Sequence, residues 1–149
     1  MDIADLIAPD RIALDLKVRD KQQLLRDLAE RAEAAGVGLP SARILAALTA
    51  REALGSTGLG KGFALPHARM DGLSGCFGLF ARLARPIDYA AIDGQRVDVA
   101  VLLLTPTNDD AGHMAALSLV ARKVREGDML GRLRRAEGGR SVLGMLSEG

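Results

Sequence analysis

The nine residues VDVAVLLLT, Val97–Thr105, hold a single charge and are apolar at both parities of an extended chain. A strand with one wet face alternates; a run that is apolar on both sides has to be covered twice. This segment therefore predicts the central strand of a sheet with helices packed on each face. Its uninterrupted apolar core, Val99–Leu104, is the longest in the chain. A membrane helix needs about 20 such residues.

The flanking patterns supply the other layers. RIALDLKV (Arg11–Val18) alternates, with Ile12, Leu14, Leu16 and Val18 on one face, and predicts a half-buried strand. Asp20 with Gln23 has capping-box spacing before a helical stripe of Leu24, Leu25, Leu28 and Ala32, and Gly36 ends it. Pro40 and Ser41 open a second helix, with Ile44, Leu45 and Leu48 inward, that ends near Leu54-Gly55. A short strand is predicted at Phe63–Leu65, stopped by Pro66, and another in CFGLFARL with Phe77, Leu79, Ala81 and Leu83 on one face. Cys76 in that run reads as a small core residue. A helix from Ala111 to Arg125 carries Leu117, Val120 and Val124, with His113 on the same side. Asp128 and Ser141 are candidate caps for two last helices. Strands and helices mix without strict alternation, which predicts an α/β sandwich with a mixed sheet. At 149 residues with no linker or repeat, the chain reads as one domain, 1–149.

Charge and composition remove several function classes. The net charge is +1 with both signs interspersed, and aromatics are only 3%. Neither a positive field nor stacking platforms for bases are available, so nucleic acid is not an expected partner. One cysteine allows no internal disulfide, and the opening MDIADLIAPDR is too short and acidic for a signal peptide. A cytoplasmic protein with no membrane span is expected.

The chemistry concentrates in LGSTGLGKGFALPHAR, Leu54–Arg69. Gly55 to Lys61 matches G-x-x-x-x-G-K, the start of a nucleotide-binding P-loop, but Gly62 stands where Ser or Thr has to bind magnesium. The context is inverted too. A P-loop leaves a strand and opens a helix, whereas this loop follows a helix and leads to a strand. His67 follows Pro66, which fixes the local backbone. Arg51 lies upstream, and His113 sits in the first turn of a helix, where an imidazolium is disfavoured. If the three converge, a neutral imidazole is available as nucleophile, while a guanidinium and a second imidazole hold the oxygens of a transferred group. Amides from Ser56 to Gly60 are candidate further donors. The residues alone also permit an exposed His67 and a hydrogen-bonded core His113. Two histidines make no zinc site without further ligands, and no G-x-S-x-G hydrolase elbow is present.

The stretch REALGSTGLGKGFALPHAR resembles the enzyme IIA domains of the bacterial phosphoenolpyruvate-dependent phosphotransferase system, most closely the nitrogen-regulatory type within the fructose and mannitol IIA superfamily. FARLARPIDYAAIDGQRVDVAVLLLTP, GHMAAL and IAPDRIALDLKVRDKQQLLRDLAE extend the resemblance over nearly the whole chain. It implies a IIA mannitol/fructose-like three-layer sandwich. It implies that His67 accepts a phosphoryl group from an HPr- or NPr-like phosphocarrier, as a tele-phosphohistidine, without nucleotide, metal or other cofactor. The residues themselves leave the choice of ring nitrogen open. Arg51 and His113 are implied to support the phosphoryl group, and Ser56, Thr57, Gly58 and Gly60 form the phosphate-supporting loop. The chain departs from the family at Lys61, where Asn is common, and at Met114, where Leu is common. Phe63, Leu59 and Met70 are candidates for an apolar docking rim around His67. Two roles are implied: a regulator of partners such as sensor kinases or potassium transport systems, or a relay to a sugar-transporter IIB domain. The closer match to the nitrogen type favours the regulator. Weak self-association is compatible with either.

Overall fold

The two-sided apolar strand is present in the computed structural model, which describes residues 1–148, and runs from Val97 to Pro106. In chain order the elements are α1 (Ile3–Leu6), a 3-10 turn at Pro9–Arg11, β1 (Ile12–Leu16), α2 (Lys21–Ala34), α3 (Ser41–Ala53), β2 (Gly58–Gly60), β3 (Phe63–Ala64), β4 (His67–Met70), β5 (Phe77–Ile87), β6 (Val97–Pro106), α4 (Asp110–Arg125), α5 (Met129–Arg135) and α6 (Gly139–Leu146). The sheet runs β1-β5-β6-β3-β2, and β4 also pairs with β6. β5 lies antiparallel to β6; β3 and β4 lie parallel along its other edge, opposite Val99–Ala100 and Leu103–Pro106. Leu65-Pro66 separates those two short strands. Pro66 has no N–H to give the ladder, but its carbonyl still accepts from Leu103 N at 3.0 Å.

Alternation along β6 divides the interior in two. Ala100, Leu102 and Leu104 pack with Leu24, Leu25 and Leu28 of α2 and Ile44 and Leu48 of α3. Val99, Val101 and Leu103 pack with Leu6, with Val120 and Val124 of α4, with Leu133 and with Val142. The result is a three-layer, mixed α/β sandwich, as expected.

β1 departs from its expected pattern. It ends at Leu16, and Asp15 takes φ 57°. The pairing with β5 slips between Ala13 and Leu16, inserting one residue. A one-residue insertion reverses the facing of all that follows. Ile12 and Leu14 therefore pack towards α4–α6, whereas Leu16 and Val18 join the α2–α3 side. Asp20 accepts from Gln23 N at 2.8 Å as expected, but Gln23 Oε1 accepts from Arg19 N, one residue before the cap. Asp128 makes no cap bond and pairs instead with Arg135, and Ser141 lies inside α6, whose cap position is Gly138. Cys76 is half-buried just before β5, packed at the margin of the α4–α6 core, with Sγ 3.9 Å from the Gly112 carbonyl.

Leu102 is wholly buried in the middle of β6. Leu102→Ala is expected to lower unfolding free energy by about 3 kcal/mol, measured as a reduced urea midpoint at unchanged m-value.

Candidate active site

Strand parity assembles the site. On β4, Ala68 and Met70 face the α2–α3 core, so His67 and Arg69 face the opposite layer. Their partners on β6 are Leu103 and Thr105, which share that face. β6 ends at Pro106 and α4 begins at Asp110, so the N-terminus of α4 stands over the same end of the sheet. Asp109 caps it by accepting from Gly112 N at 2.9 Å. His113 is thereby set down on Thr105, with Nδ1 2.7 Å from Oγ1. Arg69 Nη1 donates to Asp110 Oδ1 at 2.6 Å, tying β4 to the first turn of α4. The rings of His67 and His113 lie with centroids 5.8 Å apart and planes tilted by 51°.

The backbone selects the tautomer of His67. Its Nδ1 lies 2.7 Å from the Leu65 carbonyl oxygen, which can only accept. Nδ1 carries the hydrogen, and Nε2 keeps its lone pair. Burial lowers the His67 pKa; the Leu65 bond opposes that, the Arg51 charge adds to it, and Glu52 opposes it. The His113 pKa is also lowered, chiefly by burial, then by the charges of Arg69 and His67. Both rings are therefore neutral at pH 7.

Arg51 lies in the last turn of α3, with Nη1 donating to the Gly55 carbonyl at 2.9 Å. Beside it, Glu52 is a buried carboxylate that sequence reasoning passed over. It accepts from Lys21 Nζ at 2.9 Å, from Thr57 N at 3.1 Å and from the Thr57 hydroxyl, and Tyr89 Oη lies 3.1 Å away. Lys21 also stands 4.4 Å over the Tyr89 ring. These residues join α2, the end of α3, the glycine loop and the segment after β5. The signal was present in Glu52 itself, since a carboxylate beside the motif arginine has to find donors once buried. The Gly58 amide bonds Ser56 Oγ at 3.0 Å. The Thr57 and Gly58 amides, expected as free donors, are thus already engaged, the first by Glu52 of α3 and the second within the loop. Gly58 has no room for a side chain: a Cβ would sit 2.6 Å from that of Ala91.

The glycine loop follows α3, and its Gly60–Gly62 turn joins the antiparallel strands β2 and β3, the reverse of a P-loop context. Lys61 occupies φ 57°, a region Asn tolerates better than most residues, and its side chain faces solvent. Its amide donates to Asp93 Oδ2 at 2.9 Å. Of the three residues expected at a docking rim, Phe63 and Met70 are core and only Leu59 is exposed. Strand pairing buried the other two. Leu54, Ile92 and Met114 are also large exposed apolar side chains, as is Met1.

Residues 5–149 match the family model for the EIIA 2 component of the phosphoenolpyruvate-dependent sugar phosphotransferase system. The chain belongs to this EIIA family. A nitrogen regulatory protein of Bradyrhizobium diazoefficiens is 42% identical over 99% of this chain and 95% of its own. The crystal structure of nitrogen regulatory protein IIA-Ntr from Neisseria meningitidis superimposes with a TM-score of 0.91 at 33% identity, covering 97% of this chain and 98% of that one. The IIA mannitol structure from Escherichia coli has the same fold, with a TM-score of 0.79 at 19% identity over 92% of this chain and 96% of its own. Among the described residues of this EIIA chain, no helix is long and apolar enough to cross a membrane.

The lowered histidine pKa values make the EIIA fold sensitive to acid. Unfolded histidines take up protons near pH 6.5, whereas His67 and His113 resist until lower pH. The unfolded state then binds more protons, so stability present above about pH 6.5 is lost as pH falls through the folded values. Chemical denaturation between pH 7.5 and 5 is expected to show this decline. The double variant H67Q/H113Q should flatten it.

Proposed function

We propose that the chain, acting as one EIIA unit over residues 1–149, accepts a phosphoryl group on His67 Nε2 from a phosphohistidine of an HPr- or NPr-like carrier. The observation that carries this reading is the Nδ1–H bond of His67 to the Leu65 carbonyl, which leaves Nε2 as a neutral nucleophile 2.7 Å-anchored from behind. The donor N–P bond breaks as the Nε2–P bond forms. Its electron pair returns to the carrier's imidazole, and the positive charge growing on the His67 ring is held by Leu65 O. Arg51 and His113 offset the charge on the phosphoryl oxygens. The reaction requires no nucleotide or metal, because the donor is already activated. Exposed Leu54, Leu59 and Met114 supply apolar surface for the carrier.

The phosphorylation state then controls partner proteins, such as sensor kinases or potassium transport systems, in the cytoplasm where the carrier resides. Support for a regulatory role comes from the nitrogen regulatory names of the relative and structure at 42% and 33% identity. The family's description as a component of a sugar phosphotransferase system favours a relay to a IIB domain as the second reading. Rapid loss of the phosphoryl group to an added IIB domain of fructose or mannitol type would decide for the relay.

Incubation with phosphoenolpyruvate, the general first enzyme and an HPr-type carrier is expected to add one acid-labile phosphate. His67→Ala should take up none, and normal labelling of that variant would refute the assignment. Arg51→Ala is expected to slow transfer about 10²-fold, the scale of one lost charge-stabilising donor. The wild-type rate should be flat from pH 7 to 8 and fall in acid, below the ordinary histidine range, as His67 protonates.

A further inference from the structure

We propose that Thr105 is a positioning residue that holds His113 as the Nε2–H tautomer, so that this ring offers a donor to the phosphoryl group on His67. The inference rests on the reading of His67 as acceptor and deepens it.

The two histidines meet different anchors. Nδ1 of His67 meets a carbonyl, which has no hydrogen to give. Nδ1 of His113 meets the Thr105 hydroxyl, at the same 2.7 Å, which has one. Thr105 is wholly buried, and among the described residues its Oγ1 has no other hydrogen-bond partner. A buried hydroxyl gives its hydrogen to the acceptor within reach, and here that acceptor is the His113 ring nitrogen. The hydrogen of His113 is then on Nε2. The two rings, 5.8 Å apart, take opposite tautomers: a lone pair on His67 to form the bond, and an N–H on His113 to meet the oxygens of the transferred group.

The opposite assignment for His113 fails on both sides. Its Nε2 lone pair would face the oxygens of a dianion, and the Thr105 hydrogen would be buried without an acceptor. Strand register explains why Thr105 is available. It is the odd-numbered successor of Val99, Val101 and Leu103 on the α4 face of β6, and the first polar residue of that series. If His113 protonates while the phosphoryl group is present, the hydroxyl rotates and accepts, so the same anchor serves both states.

The test uses long-range proton–nitrogen correlation spectra of the unphosphorylated protein at pH 7.5, for wild type, Thr105→Ser and Thr105→Val. Wild type and Thr105→Ser are expected to show His113 with a bare Nδ1 and a protonated Nε2. Thr105→Val, which keeps volume and removes the hydroxyl, should shift His113 towards the Nδ1–H form while the His67 signals stay in place. Carrier-dependent phosphorylation should slow tenfold to a hundredfold in Thr105→Val and recover in Thr105→Ser. A wild-type His113 with its hydrogen on Nδ1 overturns the proposal without any variant. So does a Thr105→Val protein with unchanged tautomer and rate. The spectra need no phosphoryl transfer, so failure of wild type to be labelled would refute the acceptor reading and leave the tautomer assignment decided on its own.

Discussion

Strand β6 has no wet face, and the site follows from that. Because it is covered by α2 and α3 on one side and by α4–α6 on the other, each residue along it belongs to one layer or the other. The parallel pairing of β4 with β6 carries the same parity across. His67 cannot change layer without putting Ala68 and Met70 on the wrong side of the sheet. A single-residue slip in this ladder would cost the α2–α3 core two side chains and take His67 away from His113. Core packing thus fixes which side of the sheet His67 and Arg69 occupy.

A second constraint fixes the end of α3. Arg51 and the glycine loop come from the α3 side, where Glu52 is nearly buried and gathers Lys21, Thr57 and Tyr89. A buried carboxylate is tolerated only with such partners. Burial, joined by this carboxylate, keeps the Tyr89 hydroxyl protonated far above its usual range. The network braces the end of the helix that bears Arg51. The loop whose amides were read as candidate phosphate donors also covers this polar core, with its Thr57 amide bonded to Glu52 and its Gly58 amide to Ser56.

Much of this was legible in the residues. The two-sided run at Val97–Thr105 gave the central strand and hence the three layers, and the helix stripes gave the covering elements. The A-x-P-H and G-S-T-G segments singled out His67 and Arg51 as candidates. Other features depend on pairing, which a single strand's pattern does not hold. The insertion at Asp15 turned an apparently one-faced strand into a two-faced one. Phe63 and Met70 looked available for a partner until β3 and β4 placed them inside. Thr105 reads as the polar end of an apolar run. Its contact with the site appears only once α4 returns His113 to within hydrogen-bond distance of it.

The central claim is that Leu65 holds the hydrogen on Nδ1 of His67 and leaves Nε2 to form the new bond. Phosphorus–nitrogen coupling in uniformly nitrogen-labelled, carrier-phosphorylated protein reads that bond directly. The account predicts coupling to Nε2 of His67, with the Nδ1 hydrogen still present. Coupling to Nδ1 of His67, or to either nitrogen of His113, would contradict it.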